Sequence, residues 1–137
     1  MYDCIIIGAG ISGCSLAFEL SKYSGKVKKK KKNNDVADET TKANSAIIHA
    51  GYDPEPNTLM AKYNIWGNKI IPSLCKDLDV PCKNIGSLVV GFSEEDDKTI
   101  EVLYKRGIEN GVENQRIIKQ PELSKMEPNL NPACTSA

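Results

Sequence analysis

The chain has 137 residues, 40% hydrophobic and 26% charged, which suffices for one domain with a real core and is short for a complete two-domain enzyme. Its 18 basic and 18 acidic residues cancel formally, yet five lysines are consecutive at 28–32, leaving 13 basic against 18 acidic elsewhere. A mildly acidic body with its cations in one run argues against a nucleic-acid binder, whose lysines and arginines are spread over a face.

In chain order, "CIII" at residues 4–7 reads as a strand buried on both faces, as in a parallel sheet. From Ile11 the apolar residues Ile11, Cys14, Ala17 and Phe18 recur at helical spacing, and Gly25 follows as a stop. After this β-turn-α unit a second apolar strand is expected, but "KVKKKKK" stands in its place. Burying such lysines in a sheet would cost several kcal/mol each in lost hydration. The segment should therefore be an exposed edge, a displaced or irregular stretch, or not the natural residues.

A polar stretch at 33–44 leads to the apolar island "SAIIHAGYDPEP". Leu59, Tyr63, Trp66, Ile70, Leu74 and Leu78 step by three or four and predict a long helix with these residues in the core, kinked or divided at Pro72. "NIGSLVVGFS" reads as a strand, and Ser93 with Asp96 as an N-cap and acidic first turn. The helix so opened runs to Gly111, with Ile100, Leu103, Tyr104 and Ile108 inward. "QRIIKQ" reads as a short strand and "PELSKM" as a short helix with Pro121 at its start. The tail "EPNLNPACTSA" looks like a chain cut in mid-course.

The five cysteines are odd in number and show no C-x-x-C spacing, which points to a reducing, cytoplasmic compartment. The longest apolar stretch, "CIIIGAGI", is far short of the ~20 residues that span a bilayer, and no basic region precedes it as in a signal peptide. So no transmembrane segment is expected. No His/Cys/Asp cluster has metal-ligand spacing, and Ser12 and Ser45 have no base nearby to make either a nucleophile.

Gly8-Ala9-Gly10-Ile11-Ser12-Gly13 is G-x-G-x-x-G between a strand and a helix. The first glycine permits the tight turn, the second lets a pyrophosphate approach the backbone, and the third lets helix and strand pack closely. The helix N-terminus at Ile11 and Ser12 supplies free N–H groups and the positive dipole end. The same pattern calls for an acid about 20 positions on, to accept hydrogen bonds from ribose hydroxyls. Lys30, Lys31 or Lys32 stands there, and Asp35 is the nearest acid.

With "IIIGAGISG", "KANSAIIHAGYDPEPNTLMAKYNIWGN", "NIGSLVVGFSEED" and "EPNLNP" in this order, the chain resembles the N-terminal part of the FAD-dependent glycerol-3-phosphate dehydrogenases. The wider family of D-amino-acid oxidase type includes the L-2-hydroxyglutarate oxidases. The resemblance implies an α/β, Rossmann-like, three-layer FAD-binding fold, here incomplete. Residues 51–80 would be a helical insertion and 81–137 the start of strand and helix elements toward a substrate domain. Gly8, Gly10, Ile11, Ser12 and Gly13 would hold the FAD pyrophosphate. Thr41, Asn44, Ser45, His49 and Gly51 would pass along the phosphates and under the flavin, and Lys31 would stand where the family has its ribose-binding acid. His49, the only histidine, would lie near the flavin, and no catalytic residue is assigned.

The activity so implied is oxidation of glycerol 3-phosphate or a similar 2-hydroxy acid by hydride transfer to flavin. A small-molecule substrate, the remainder of the enzyme chain and an electron acceptor would be the partners, and the isolated 137-residue chain would be inactive. Three alternatives compete. A truncated or degenerate non-catalytic chain fits the lysine run. An NAD(P)-binding Rossmann protein keeps the glycines and leaves "NSAIIHAGYDP" unexplained. Lysine-mediated adhesion to membranes or nucleic acid predicts an affinity that collapses with salt.

Overall fold

The β-branched run after Cys4 does form a strand, and the glycine turn does feed a helix. A computed structural model describes residues 1–32 and 34–137; Asn33, the first residue of the polar stretch, lies outside the described residues. The chain forms two compact units, Met1–Ile47 and Ile48–Ala137.

In the first unit, β1 (Cys4–Ile7) leads through the glycine turn into α1 (Ile11–Ser21) and then into β2 (Val27–Lys30). The strands pair in parallel, with Cys4 opposite Val27 and Ile7 opposite Lys30. Main-chain bonds extend the ladder at both ends: Asp3 N–H donates to the Lys26 carbonyl at 3.0 Å and Gly8 N–H to the Lys30 carbonyl at 2.9 Å. The first three lysines of the run, Lys28 to Lys30, are thus neither irregular nor displaced, while Lys31 and Lys32 lie beyond the strand. Val27–Lys30 forms an exposed strand, because the backbone ladder is indifferent to side chains and the ammonium groups stay in water. Lys28 Nζ lies 5.0 Å from the Tyr2 ring centroid, and Lys29 Nζ 3.4 Å from Cys14 Sγ.

β1 is not buried on both faces as its composition suggests. Ile6 is buried on the side of α1, whereas Ile5 and Ile7, pointing the other way, are exposed. Helix α1 covers one face of the two-stranded sheet.

The second unit holds α2 (Leu59–Asp77), α3 (Glu94–Asn110) and α4 (Glu122–Met126). The Thr58 hydroxyl accepts from Ala61 N–H at 3.2 Å and caps α2. Pro72 does not divide this helix. The predicted apolar stripe is not its buried face: Tyr63 and Trp66 are 57% and 58% exposed, stacked edge to face at 6.2 Å, and Leu59 is exposed as well. The inward face is instead offset around it, with Ala61 buried and Ile65 and Asn68 half-buried. The helix packs on α3, and periodicity gave the helix but a stripe of which only Leu74 is half-buried.

Helix α3 starts as predicted, with Ser93 Oγ accepting from Asp96 N–H at 3.1 Å, and stops at Gly111, whose φ of +85° suits glycine. Ile100 is buried, while Ile108 is 56% exposed and not part of the inner face.

Neither "NIGSLVVGFS" nor "QRIIKQ" becomes a strand. Each makes a single isolated antiparallel bridge, Gly91 and Lys119 both to Ser136. The reason lies in pairing, since a strand needs a partner along its length and the tail supplies one only at Cys134 to Ala137. Gly91 N–H donates to the Ser136 carbonyl at 2.9 Å, and Ile118 and Ala137 exchange main-chain bonds of 2.8 and 3.0 Å. The tail contributes to the core of this unit, where Cys134 and Ala137 pack with Ile118 and with Leu123, which is 0% exposed. Asp97 accepts hydrogen bonds from the Thr135 and Ser136 hydroxyls. These bonds, first that of Ser136, hold the Asp97 carboxyl below the usual carboxylate range.

Candidate cofactor site

Each glycine of the turn has its own reason to be glycine. Gly8 carries the chain out of β1 at a φ of +115°, a conformation side chains rarely adopt. A Cβ on Gly10 would lie 3.1 Å from Thr41 Oγ1. One on Gly13 would lie 2.4 Å from the Gly8 carbonyl oxygen and 3.4 Å from Ile6 Cγ2. Gly13 therefore sets how closely α1 approaches β1, and main chain gives way less readily than a side chain.

Residues 36–43 fold back over this turn. Ala37 N–H donates to the Ala9 carbonyl at 2.8 Å, and Thr41 Oγ1 accepts from Ile11 N–H at 3.1 Å. Gly10 caps α1 without a side chain, and the first turn carries no acidic residue. The first-turn N–H groups of Ser12 and Gly13 have no acceptor within the helix by geometry, and the dipole end is positive. A turn with close backbone approach, open amides and no competing anion fits a pyrophosphate.

The ribose end does not fit in the same way. β2 ends at Lys30, opposite Ile7, and the residue that follows it, Lys31, has only donors to offer where an acid is expected. Its Nζ donates to the Asn34 carbonyl, while Asp35 Oδ1 is engaged by Val36 N–H at 2.7 Å.

Of the other site residues read from sequence, the structure brings Thr41 to the glycine turn. Asn44 and Ser45 are exposed, and Asn44 Oδ1 accepts locally from Ala46 N–H at 2.5 Å. His49 and Gly51 belong to the second unit. There the exposed His49 is held through its carbonyl, which accepts from Asn68 Nδ2 at 2.9 Å. Gly51, at a φ of +105°, leaves no room for a Cβ, which would stand 2.4 Å from Ile65 Cδ1.

Helix α3 secures the rest of this loop. Asn110 Nδ2 donates to the carbonyls of Gly51 and Pro54 at 2.9 and 2.8 Å. Arg106 donates to the Asp53 carbonyl at 2.7 Å and pairs with Glu55 at 2.6 Å. Sequence reasoning missed Asn68, Asn110 and Arg106. The one readable signal was asparagine inside helices, where it is a poor former, and that signal does not separate Asn68 and Asn110 from Asn64.

Among the described residues no group of His, Cys, Asp and Glu is arranged to hold a metal, and no helix is long and apolar enough to cross a membrane.

This strand, glycine turn and helix define a dinucleotide-binding fold of Rossmann type, here with part of its sheet. The chain belongs to the FAD dependent oxidoreductase family, whose model matches residues 3–137, and FAD is the cofactor of that family. It is 50% identical over 131 residues to a glycerol 3-phosphate dehydrogenase of Caloramator mitchellensis, covering 96% of this chain and 27% of that protein. To a mitochondrial L-2-hydroxyglutarate dehydrogenase of Dictyostelium discoideum it is 37% identical over 134 residues, covering 96% of this chain and 30% of the other. Among solved structures it is similar to the dithionite-reduced L-alpha-glycerophosphate oxidase of Mycoplasma pneumoniae with FAD bound. That likeness has a TM-score of 0.88 at 38% identity and covers 98% of this chain and 36% of that one. The chain thus spans about a third of the length of the relatives it matches.

Proposed function

We propose that this chain is the FAD-binding N-terminal part of a flavoenzyme that oxidises glycerol 3-phosphate or a similar 2-hydroxy acid. The observation that carries the reading is the Gly8 to Gly13 turn with Thr41 seated on the N-terminus of α1, in a chain of the FAD-dependent oxidoreductase family. Bound FAD supplies the two-electron acceptor for oxidising a hydroxyl-bearing carbon. Gly8 and Gly10 give the pyrophosphate its close approach, Ser12 and Gly13 present the open N–H groups of the helix N-terminus beginning at Ile11, and Thr41, which holds the Ile11 N–H, closes the loop above. Asn44 and Ser45 continue along the phosphates, while His49 and Gly51, implied by the resemblance to be flavin-proximal, lie in the second unit, where Asn68 holds the His49 carbonyl.

Glycerol 3-phosphate is favoured as substrate by the 50% identity to a protein so named, against 37% to the L-2-hydroxyglutarate dehydrogenase. In the same reading 51–80 is a helical insertion and 81–137 leads toward a substrate domain. An electron acceptor and the remaining length of the enzyme complete the reaction, and the compartment is cytoplasmic.

The lysine run favours a second reading, in which the same ancestry carries a broken cofactor site. One experiment separates the two: the visible absorption spectrum of the purified chain, with and without added FAD, after unbound flavin is removed. Retained flavin absorbance supports the first reading. A colourless chain that turns yellow on Lys31→Glu places the defect at the ribose acid. One that stays colourless in both forms overturns FAD binding by this chain.

A further inference from the structure

Helix α3 ends at Asn110–Gly111, the one place in the chain where glycine follows asparagine. Gly111 N–H donates to the Ile108 carbonyl at 3.0 Å and Val112 N–H to the Gly107 carbonyl at 2.9 Å, with Gly111 left-handed. These are the two bonds of a Schellman cap. Gly111 is exposed, and nothing lies within 4 Å of the place a Cβ would take, so water and hydroxide reach its main chain. The Asn110 side chain is part-buried, and its Nδ2 donates to the carbonyls of Gly51 and Pro54 at 2.9 and 2.8 Å.

An asparagine before glycine can react with its own chain, because no Cβ shields the following main-chain nitrogen from the asparagine side-chain carbonyl. Here that nitrogen is engaged by the helix cap, and the amide it would attack is engaged by the 49–55 loop.

We propose that Asn110 is a deamidation site kept closed by these two sets of bonds, and that its conversion to aspartate or isoaspartate releases the 49–55 loop. Hydroxide takes the Gly111 amide proton, the nitrogen attacks Asn110 Cγ, and the Cγ–Nδ2 bond breaks. Ammonia leaves with a proton from water, which restores the hydroxide. The five-membered imide ring then adds one water at either of its carbonyls and opens to aspartate or isoaspartate. In sum one water enters and one ammonia leaves, with no oxidant or reductant.

The attack requires Gly111 to leave its cap, so the rate follows local opening at the end of α3. The product does not return to the native contacts. A carboxylate has no donor for the Gly51 and Pro54 carbonyls, so two hydrogen bonds are lost and acceptors face one another. Arg106 still holds Asp53 and Glu55, and Asn68 still holds His49, which confines the change to the loop.

The test is incubation of the folded chain, and of the same chain in urea, at mildly alkaline pH, followed by trypsin and fragment-ion mass spectrometry. Arg106 and Arg116 bound the peptide 107–116, which holds Asn110 and Asn114. The expected product gains about one mass unit at Asn110. It should form several-fold more slowly in the folded chain than in urea. The converted fraction, separated by its added negative charge, should exchange amide hydrogens several-fold faster than the fresh chain at 49–55 and no faster at 4–30. Absence of conversion in the folded chain, equal rates in the two media, a mass gain at Asn114 in place of Asn110, or unchanged exchange at 49–55 after conversion would each overturn the proposal. None of these readouts depends on a variant that must fold.

Discussion

Two glycine-bearing loops show two ways of holding a backbone in place. The turn at Gly8 to Gly13 is fixed from within, by positive φ at Gly8, by contact of Gly13 with the Gly8 carbonyl, and by the helix it opens. The loop from His49 to Glu55 is fixed from without, by amide and guanidinium groups 19 to 59 residues away in the sequence. A loop built from local geometry leaves its signature in a motif. One built from borrowed side chains leaves almost none.

This difference ranks the variants. Gly13→Ala drives a methyl into main chain at 2.4 Å and should destabilise the first unit by about 3 kcal/mol, read as a lower denaturation midpoint. Gly51→Ala meets a side chain at the same 2.4 Å, so the loss should be smaller, about 2 kcal/mol. Adding Ile65→Val, which removes Cδ1, should recover part of that loss, and a strictly additive double variant would contradict the assigned clash.

Next come the borrowed side chains. Asn110→Ala strips donors from two carbonyls and should cost about 1–2 kcal/mol, with Asn68→Ala below it at about 1 kcal/mol. Hydrogen exchange should show the loosening confined to residues around 49–55.

The acid response concerns the second unit. The Asp97 carboxyl is lowered in the folded chain, so its stabilisation is complete above the unfolded carboxylate value of about 3.9 and is lost as pH falls through the lower folded value. Asp97→Asn should flatten the pH dependence of unfolding in that acid window and leave its shape near neutrality unchanged.

The smallest effect belongs to β2. Lys28→Thr or Lys30→Thr should change stability by no more than about 0.5 kcal/mol, since both side chains are solvated and the ladder runs through main chain. A large gain from either would mean that the lysines oppose the strand more than their exposure implies.

How much was legible follows the same division. The β1–turn–α1 unit, the caps at Ser93 and Gly111, and the glycine positions of the candidate site could be read directly, because each depends on neighbours within a few residues. Composition argued against a buried strand at 28–32 and left an exposed edge among the outcomes; the edge formed at Val27–Lys30, because main-chain pairing needs only an adjacent partner and water for the ammonium groups. "QRIIKQ" had better strand composition and lacked a partner along its length.

The sequence by itself thus determined the elements whose causes are local, namely backbone freedom at glycine, helix caps and the dipole end offered to a phosphate. Only the tertiary structure decided which face of α2 is buried, that the tail supplies the core at Cys134 and Ala137, and that Asn68, Asn110 and Arg106 carry the His49 loop. Those outcomes depend on which distant groups meet, and no local propensity encodes such a meeting.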